Sequence, residues 1–182
     1  HPRERDRPYV VPMQLLELPD DALGYDGADA VMLANPDWDL FERAGKTAAL
    51  LQWVRSGGHL ILVLSENLTR VTHPSYRFDD WAGVTVTEAT SWTPSGTIPL
   101  EMTIDPRIGV EGLTLPSEPR GILVLAPKAH ALVLARGRIE QLDASGATVT
   151  EDVPLIVRAS FGLGTVTTFA FDPTLRVASP EL

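Results

Sequence analysis

The stretch from Ala30 to Leu64, AVMLANPDWDLFERAGKTAALLQWVRSGGHLILVL, decides how this chain is read. Ala30-Val31-Met32-Leu33 and His59–Leu64 are short unbroken apolar runs, the pattern of strands buried on both faces. Between them, Asp39 stands where it caps a helix, and Glu42 three residues on closes a capping box. Leu40, Ala44, Ala48, Leu51 and Val54 recur every three or four residues as one apolar stripe, with Trp53 at its margin. Gly57-Gly58 ends the helix, since glycine takes the left-handed conformation at little cost. The spacing therefore predicts a helix over Asp39–Ser56 joining two parallel strands by a right-handed crossover.

Upstream, Tyr9–Leu18 is apolar enough for a strand, with Pro12 as an edge or a break. Pro19-Asp20-Asp21 and Gly24-Tyr25-Asp26-Gly27 then turn the chain. Downstream, Glu66–Ala82 reads as a loop or short helix. The second half is richer in strands, at Thr97–Ile104, Gly121–Leu125, Ala131–Ala135, Arg138–Leu142, Val153–Ala159 and Thr165–Phe171. The last two are expected to form an antiparallel hairpin turning at Phe161–Gly164. Thr93–Pro99 has the composition of a linker, but neither half closes its own core, so residues 1–182 are expected to form a single domain.

Composition bounds the partners. The 182 residues are 44% hydrophobic and 21% charged, ordinary for a globular chain able to bury a core. Fifteen Lys and Arg against 24 Asp and Glu give a formal charge of -9, which repels phosphate backbones and argues against nucleic acid. The basic residues of His1–Arg7 are interleaved with acids and read as a solvated terminus. With no cysteine there is no disulfide framework, redox dithiol or thiolate metal site. No apolar run approaches the roughly 18 residues of a membrane span. A start at His1 suggests a piece of something longer.

Gly24-Tyr25-Asp26, Ala28–Leu33 and Ala49–Leu60, followed by Pro154–Val157, Gly162-Leu163-Gly164 and Phe171-Asp172-Pro173, resemble the class I glutamine amidotransferase-like domains that recur in large bacterial membrane-associated proteins. The resemblance implies an α/β fold of flavodoxin-like type. Its sheet would be mostly parallel with flanking helices, and its strand-rich second half would end in an antiparallel hairpin. It also implies a place in a membrane-anchored envelope protein, on its extracytoplasmic side. Active members carry a cysteine on the turn after a strand like His59–Leu64, where this chain has Ser65-Glu66-Asn67. Their histidine lies in a Phe-His-Pro-Glu run, matched here by Phe171-Asp172-Pro173-Thr174. Ser65, Glu66 and Asp172 thus mark degenerate active-turn positions, and no glutaminase activity is expected.

Other chemistry finds weak footing. A nucleophilic Ser65 needs a base within hydrogen-bond reach, and His73 and His59 are the histidines nearest in sequence. Asn35-Pro36-Asp37-Trp38-Asp39 opens like a calcium loop, but Leu40 and Lys46 stand where its glycine and distal glutamate belong. Asp20, Asp21, Asp26 and Asp29 carry no metal motif, and His1, His59, His73 and His130 lack zinc spacing. Gly162-Leu163-Gly164 lacks the third glycine of a dinucleotide fingerprint. No metal or cofactor is expected. Tyr76, Phe78, Trp81 and Trp92 either pin a loop to the core or form an exposed platform for a partner or sugar. The function expected is a non-catalytic interaction or architectural module that binds a protein or the rest of its parent chain. A carbohydrate or small-molecule binding domain is the alternative, and a hydrolase with substituted catalytic residues the third.

Overall fold

Val31–Ala34 (β1) and His59–Val63 (β2) pair in parallel, Leu33 opposite Leu62, as their apolar runs led one to expect. The computed structural model describes residues 10–34, 36–64, 78–92, 120–142 and 148–172. The closing hairpin is also present: Thr148–Phe161 (β6) and Gly164–Phe169 (β7) run antiparallel about a turn in which Gly162 has φ 66°. Leu132–Leu142 (β5) pairs antiparallel with β6, with bulges around Val133–Arg136. The five strands stand in the order β1-β2-β7-β6-β5, so the last strand among the described residues is the central one. Val84–Trp92 (β3) and Arg120–Pro127 (β4) form a separate antiparallel pair. That pair is tied to the main sheet where the Leu123 N–H donates to the Ala170 carbonyl at 2.9 Å.

This architecture corrects the flavodoxin-like, mostly parallel expectation. The sheet is mixed, with β1-β2 and β2-β7 parallel but β7-β6 and β6-β5 antiparallel. Among the described residues the α-helices are Trp38–Arg43 (α1), Lys46–Arg55 (α2) and the single turn Phe78–Trp81 (α3), too few to sheathe the sheet. The physical reason lies in the second half: hairpin-connected strands need no crossover helix, so they supply pairing without a helical layer.

The single Asp39–Ser56 helix is also corrected. Gly45, at φ 68°, divides it, and Asp37 rather than Asp39 caps α1 by accepting the Leu40 N–H at 3.1 Å. The break shifts the helical phase. Ala49, Leu50, Trp53 and Val54 are buried, whereas Leu40 and Ala48 of the expected stripe are exposed. Trp53 therefore sits in the core, not at its margin. Residues 10–18 form no strand, only a 3-10 turn at Leu15–Glu17. The segments Ala131–Ala135 and Arg138–Leu142 belong to one continuous strand, and β3 was not foreseen. The strand expected at 97–104 and the linker at 93–99 lie outside the described residues.

The core fills one face of the main sheet. Leu60, Leu62, Val157 and Val166 pack with Leu50, Trp53 and Val54 of α2 and with Val84, Leu123 and Leu125 of the second sheet. Full burial of each large apolar side chain contributes roughly 1.5–3 kcal/mol. A side chain at Gly164 would strike the backbone of Val54, and one at Gly83 would strike Ala159, which puts α2 and the start of β3 on this same face. The segment before β1 is strapped over α2. Lys46, almost fully buried, donates from Nζ to the Leu18 carbonyl at 2.6 Å and pairs with Asp20, while Tyr25 packs on Trp53 with ring centroids 5.6 Å apart.

Candidate functional site

Strand periodicity sends the alternate residues to the opposite face. Partnering across β1, β2, β7, β6 and β5 sets Met32, Ile61, Thr167, Arg158 and Leu132 in one row, with His59, Thr165 and Ser160 in the next. Met32 is 52% exposed and Leu132 62%, at the two edges of the row. Ser160 is exposed, and His59, Ile61, Thr165 and Arg158 are partly exposed. Toward the far end, Val63 and Ile156 are buried.

At the centre of this face three polar side chains meet. Thr167 is only 4% exposed; its Oγ1 accepts the Arg158 Nε–H at 3.3 Å and lies 2.9 Å from His59 Nε2. Burial lowers the His59 pKa, and the Arg158 charge lowers it further, so the imidazole stays neutral near pH 7. The Thr167 hydroxyl accepts from Arg158 and has one proton and one further lone pair, so it can donate to His59 Nε2 or accept from it. Where it donates, the ring proton resides on Nδ1. Among the described residues no carboxylate pairs with Arg158.

The residues singled out in the sequence fall elsewhere. Ser65, Glu66 and Tyr76 lie outside the described residues. Phe78 opens α3 and Trp92 ends β3, so Trp92 belongs to a strand. Trp81 is 7% exposed and packs in the core, which removes it from any surface platform. Asp172 is partly buried just beyond β7. His59 opens β2 while Ser65 follows its exit. Four strand steps separate His59 from Val63, the last residue of β2, by about 13 Å. Asp20 and Asp21 have local roles, on Lys46 and on the Gly24 N–H. The His59–Thr167–Arg158 cluster was missed because it joins positions 108 residues apart, with no motif to announce it.

Comparison places the fold among solved structures. No family profile and no curated protein matches the sequence. The chain is similar to Cytoplasmic Protein STM3548 from Salmonella typhimurium, with a TM-score of 0.64 and 12% identity over 91% of this chain and 70% of that one. It is also similar to Cytoplasmic Protein STM1381 from Salmonella typhimurium LT2, with a TM-score of 0.57 and 19% identity over 90% and 69%. The mmIFT52 N-terminal domain aligns with a TM-score of 0.52 and 12% identity over 84% and 70%. At such identities the likeness is one of fold alone.

Proposed function

We propose that this chain is a non-catalytic interaction module that binds a protein partner, or the remainder of a longer parent chain, through the exposed face of its mixed sheet. The observation that carries the reading is the composition of that face. Met32, Ile61 and Leu132 offer apolar contact around a preorganised polar centre, the arrangement of a recognition surface. The opposite face is already filled by α2 and the second sheet. Kinship with amidotransferase-like domains and a place in the bacterial envelope belong to the same proposal and rest on the Ala28–Leu33, Ala49–Leu60 and Phe171-Asp172-Pro173 motifs. No helix among the described residues is long and apolar enough to cross a membrane.

Hydroxyl-radical footprinting of Met32 and Leu132 tests the reading, comparing residues 1–182 alone with the same residues inside the full-length parent protein. Oxidation of both side chains is expected to fall severalfold in the parent protein. Equal oxidation in both settings rejects this face as the surface that docks onto the parent chain. An ammonia-release assay with glutamine tests the non-catalytic half. Turnover that survives purification and is lost in Ser65→Ala contradicts it.

A further inference from the structure

We propose that His59, Thr167 and Arg158 form a receptor for a single carboxylate carried on an apolar body. The proposal deepens the reading of this sheet face as the working surface by naming the chemistry it recognises. Its basis is the hydrogen bonding that orients Arg158. Arg158 spends Nε on Thr167, and Thr167 bridges onward to His59, which fixes both side chains against the sheet. What remains for a ligand is the terminal nitrogens of the guanidinium fork, which only donate, joined by His59 Nδ1–H in the tautomer that accepts from Thr167. A site of donors calls for an acceptor, and the planar fork suits a carboxylate held by two parallel bonds.

Charge matching narrows the ligand further. The chain is acidic overall, yet this partly buried guanidinium has no carboxylate partner among the described residues. An unpaired, partly desolvated cation is costly, and an incoming anion relieves that cost. Within the cluster Arg158 is the one formal positive charge, because the imidazole is neutral. One negative charge is therefore matched, and a phosphate dianion is not. Thr165 and Ser160, in the adjoining row, add hydroxyls at the rim. Met32, Ile61 and Leu132 flank the cluster along its own row, so the group bearing the carboxylate meets apolar surface on either side.

The test is an NMR titration of the isotopically labelled 182-residue chain with sodium benzoate. Benzamide, sodium phosphate and sodium chloride serve as comparisons at matched ionic strength. The Arg158 Nε–H and His59 ring resonances are expected to move saturably with benzoate, and benzamide should bind at least about tenfold more weakly. Arg158→Gln is expected to weaken benzoate roughly tenfold or more while keeping a dispersed spectrum, and Arg158→Lys to fall between. Should Arg158→Gln not fold, His59→Gln provides the second reading, with a severalfold loss. A terminally blocked Leu-Glu-Leu peptide and its Leu-Gln-Leu counterpart separate the sources. Tighter binding of the glutamate peptide than of benzoate assigns a protein side chain, and the reverse assigns a small acid. Benzoate shifts no larger than those of chloride, phosphate binding tighter than benzoate, or equal binding in both variants would overturn the receptor. The footprinting experiment reads the surface independently, so the receptor can fail while the interaction face stands.

Discussion

On β7, Thr167 turns its hydroxyl to the open face and accepts from Arg158, whereas Thr168 turns its own into the core, where no hydrogen-bond partner meets it. The same substitution should therefore act in opposite directions. Thr167→Val is expected to cost about 1 kcal/mol, since it strands a guanidinium N–H and an imidazole nitrogen that water only partly reaches. Thr168→Val, at a position with no exposed surface, should leave stability unchanged or raise it by up to about 1 kcal/mol, because an unbonded buried hydroxyl gives way to a methyl of the same shape. Urea denaturation of both variants checks the pair. The titrating residues set the pH limits. The folded His59 pKa lies below the ordinary 6.5, through burial first and Arg158 second, so the unfolded chain takes up its proton first. Stability should thus be full above that ordinary value and fall as pH drops from it toward the lower folded value. His59→Gln should flatten this acid limb of the urea midpoint. Tyr25 behaves in the opposite sense. Burial, then the Asp20 charge, raises its pKa from 10.0 to about 12, so stability is intact below pH 10 and lost as pH climbs toward 12. Tyr25→Phe should remove that alkaline loss, read by circular dichroism across a base titration.

The β6-β7 turn is docked onto the end of α2. The Leu163 N–H donates to the Arg55 carbonyl and the Thr165 N–H to the Gly58 carbonyl, while the Arg55 guanidinium lies 4.7 Å over the Phe161 ring. A Cβ at Gly164 would collide with the Val54 and Gly58 carbonyls, and one at Gly162 with the Arg55 backbone at a φ of 66°. Gly164→Ala should accordingly destabilise by roughly 3 kcal/mol, because backbone must move on both sides. Gly45→Ala meets open space and should cost only the left-handed conformation, about 1 kcal/mol. Thermal unfolding of the two variants separates collision from conformation. The elements also mark what was legible. The parallel β1-β2 pair and the hairpin could be read because unbroken apolar runs and closely spaced glycines are local signals. Helix phase was misread because the periodicity of Leu40–Val54 was carried straight through Gly45. The alternation of Val84, Val86 and threonines in β3 was overshadowed by the neighbouring aromatics. The polar cluster was illegible in kind: strand pairing brings His59 to Thr167, and no window of sequence contains both.

At the scale of the whole molecule, the order β1-β2-β7-β6-β5 sets a late-made strand between an early pair and its own hairpin partner. Five of the nine main-sheet residue pairings of β2 are with residues 165–169. A chain ending at Ser160 should therefore lose cooperative unfolding and bind hydrophobic dye, with β1 and β2 unable to hold a sheet alone. A chain ending at Asp172 tests the converse and should keep the cooperative transition if the described strands suffice. The central seat of β7 has a further consequence for how the protein is made. As the chain leaves the ribosome, one side of β2 waits for more than half of the polypeptide to follow, on the order of ten seconds at ordinary elongation rates. Throughout that interval an apolar strand carries an open row of backbone donors and acceptors, which any neighbouring nascent chain can pair with. Soluble yield is thus governed by crowding and speed at synthesis, and slower or cooler expression is expected to raise it without any change in the stability of the finished fold.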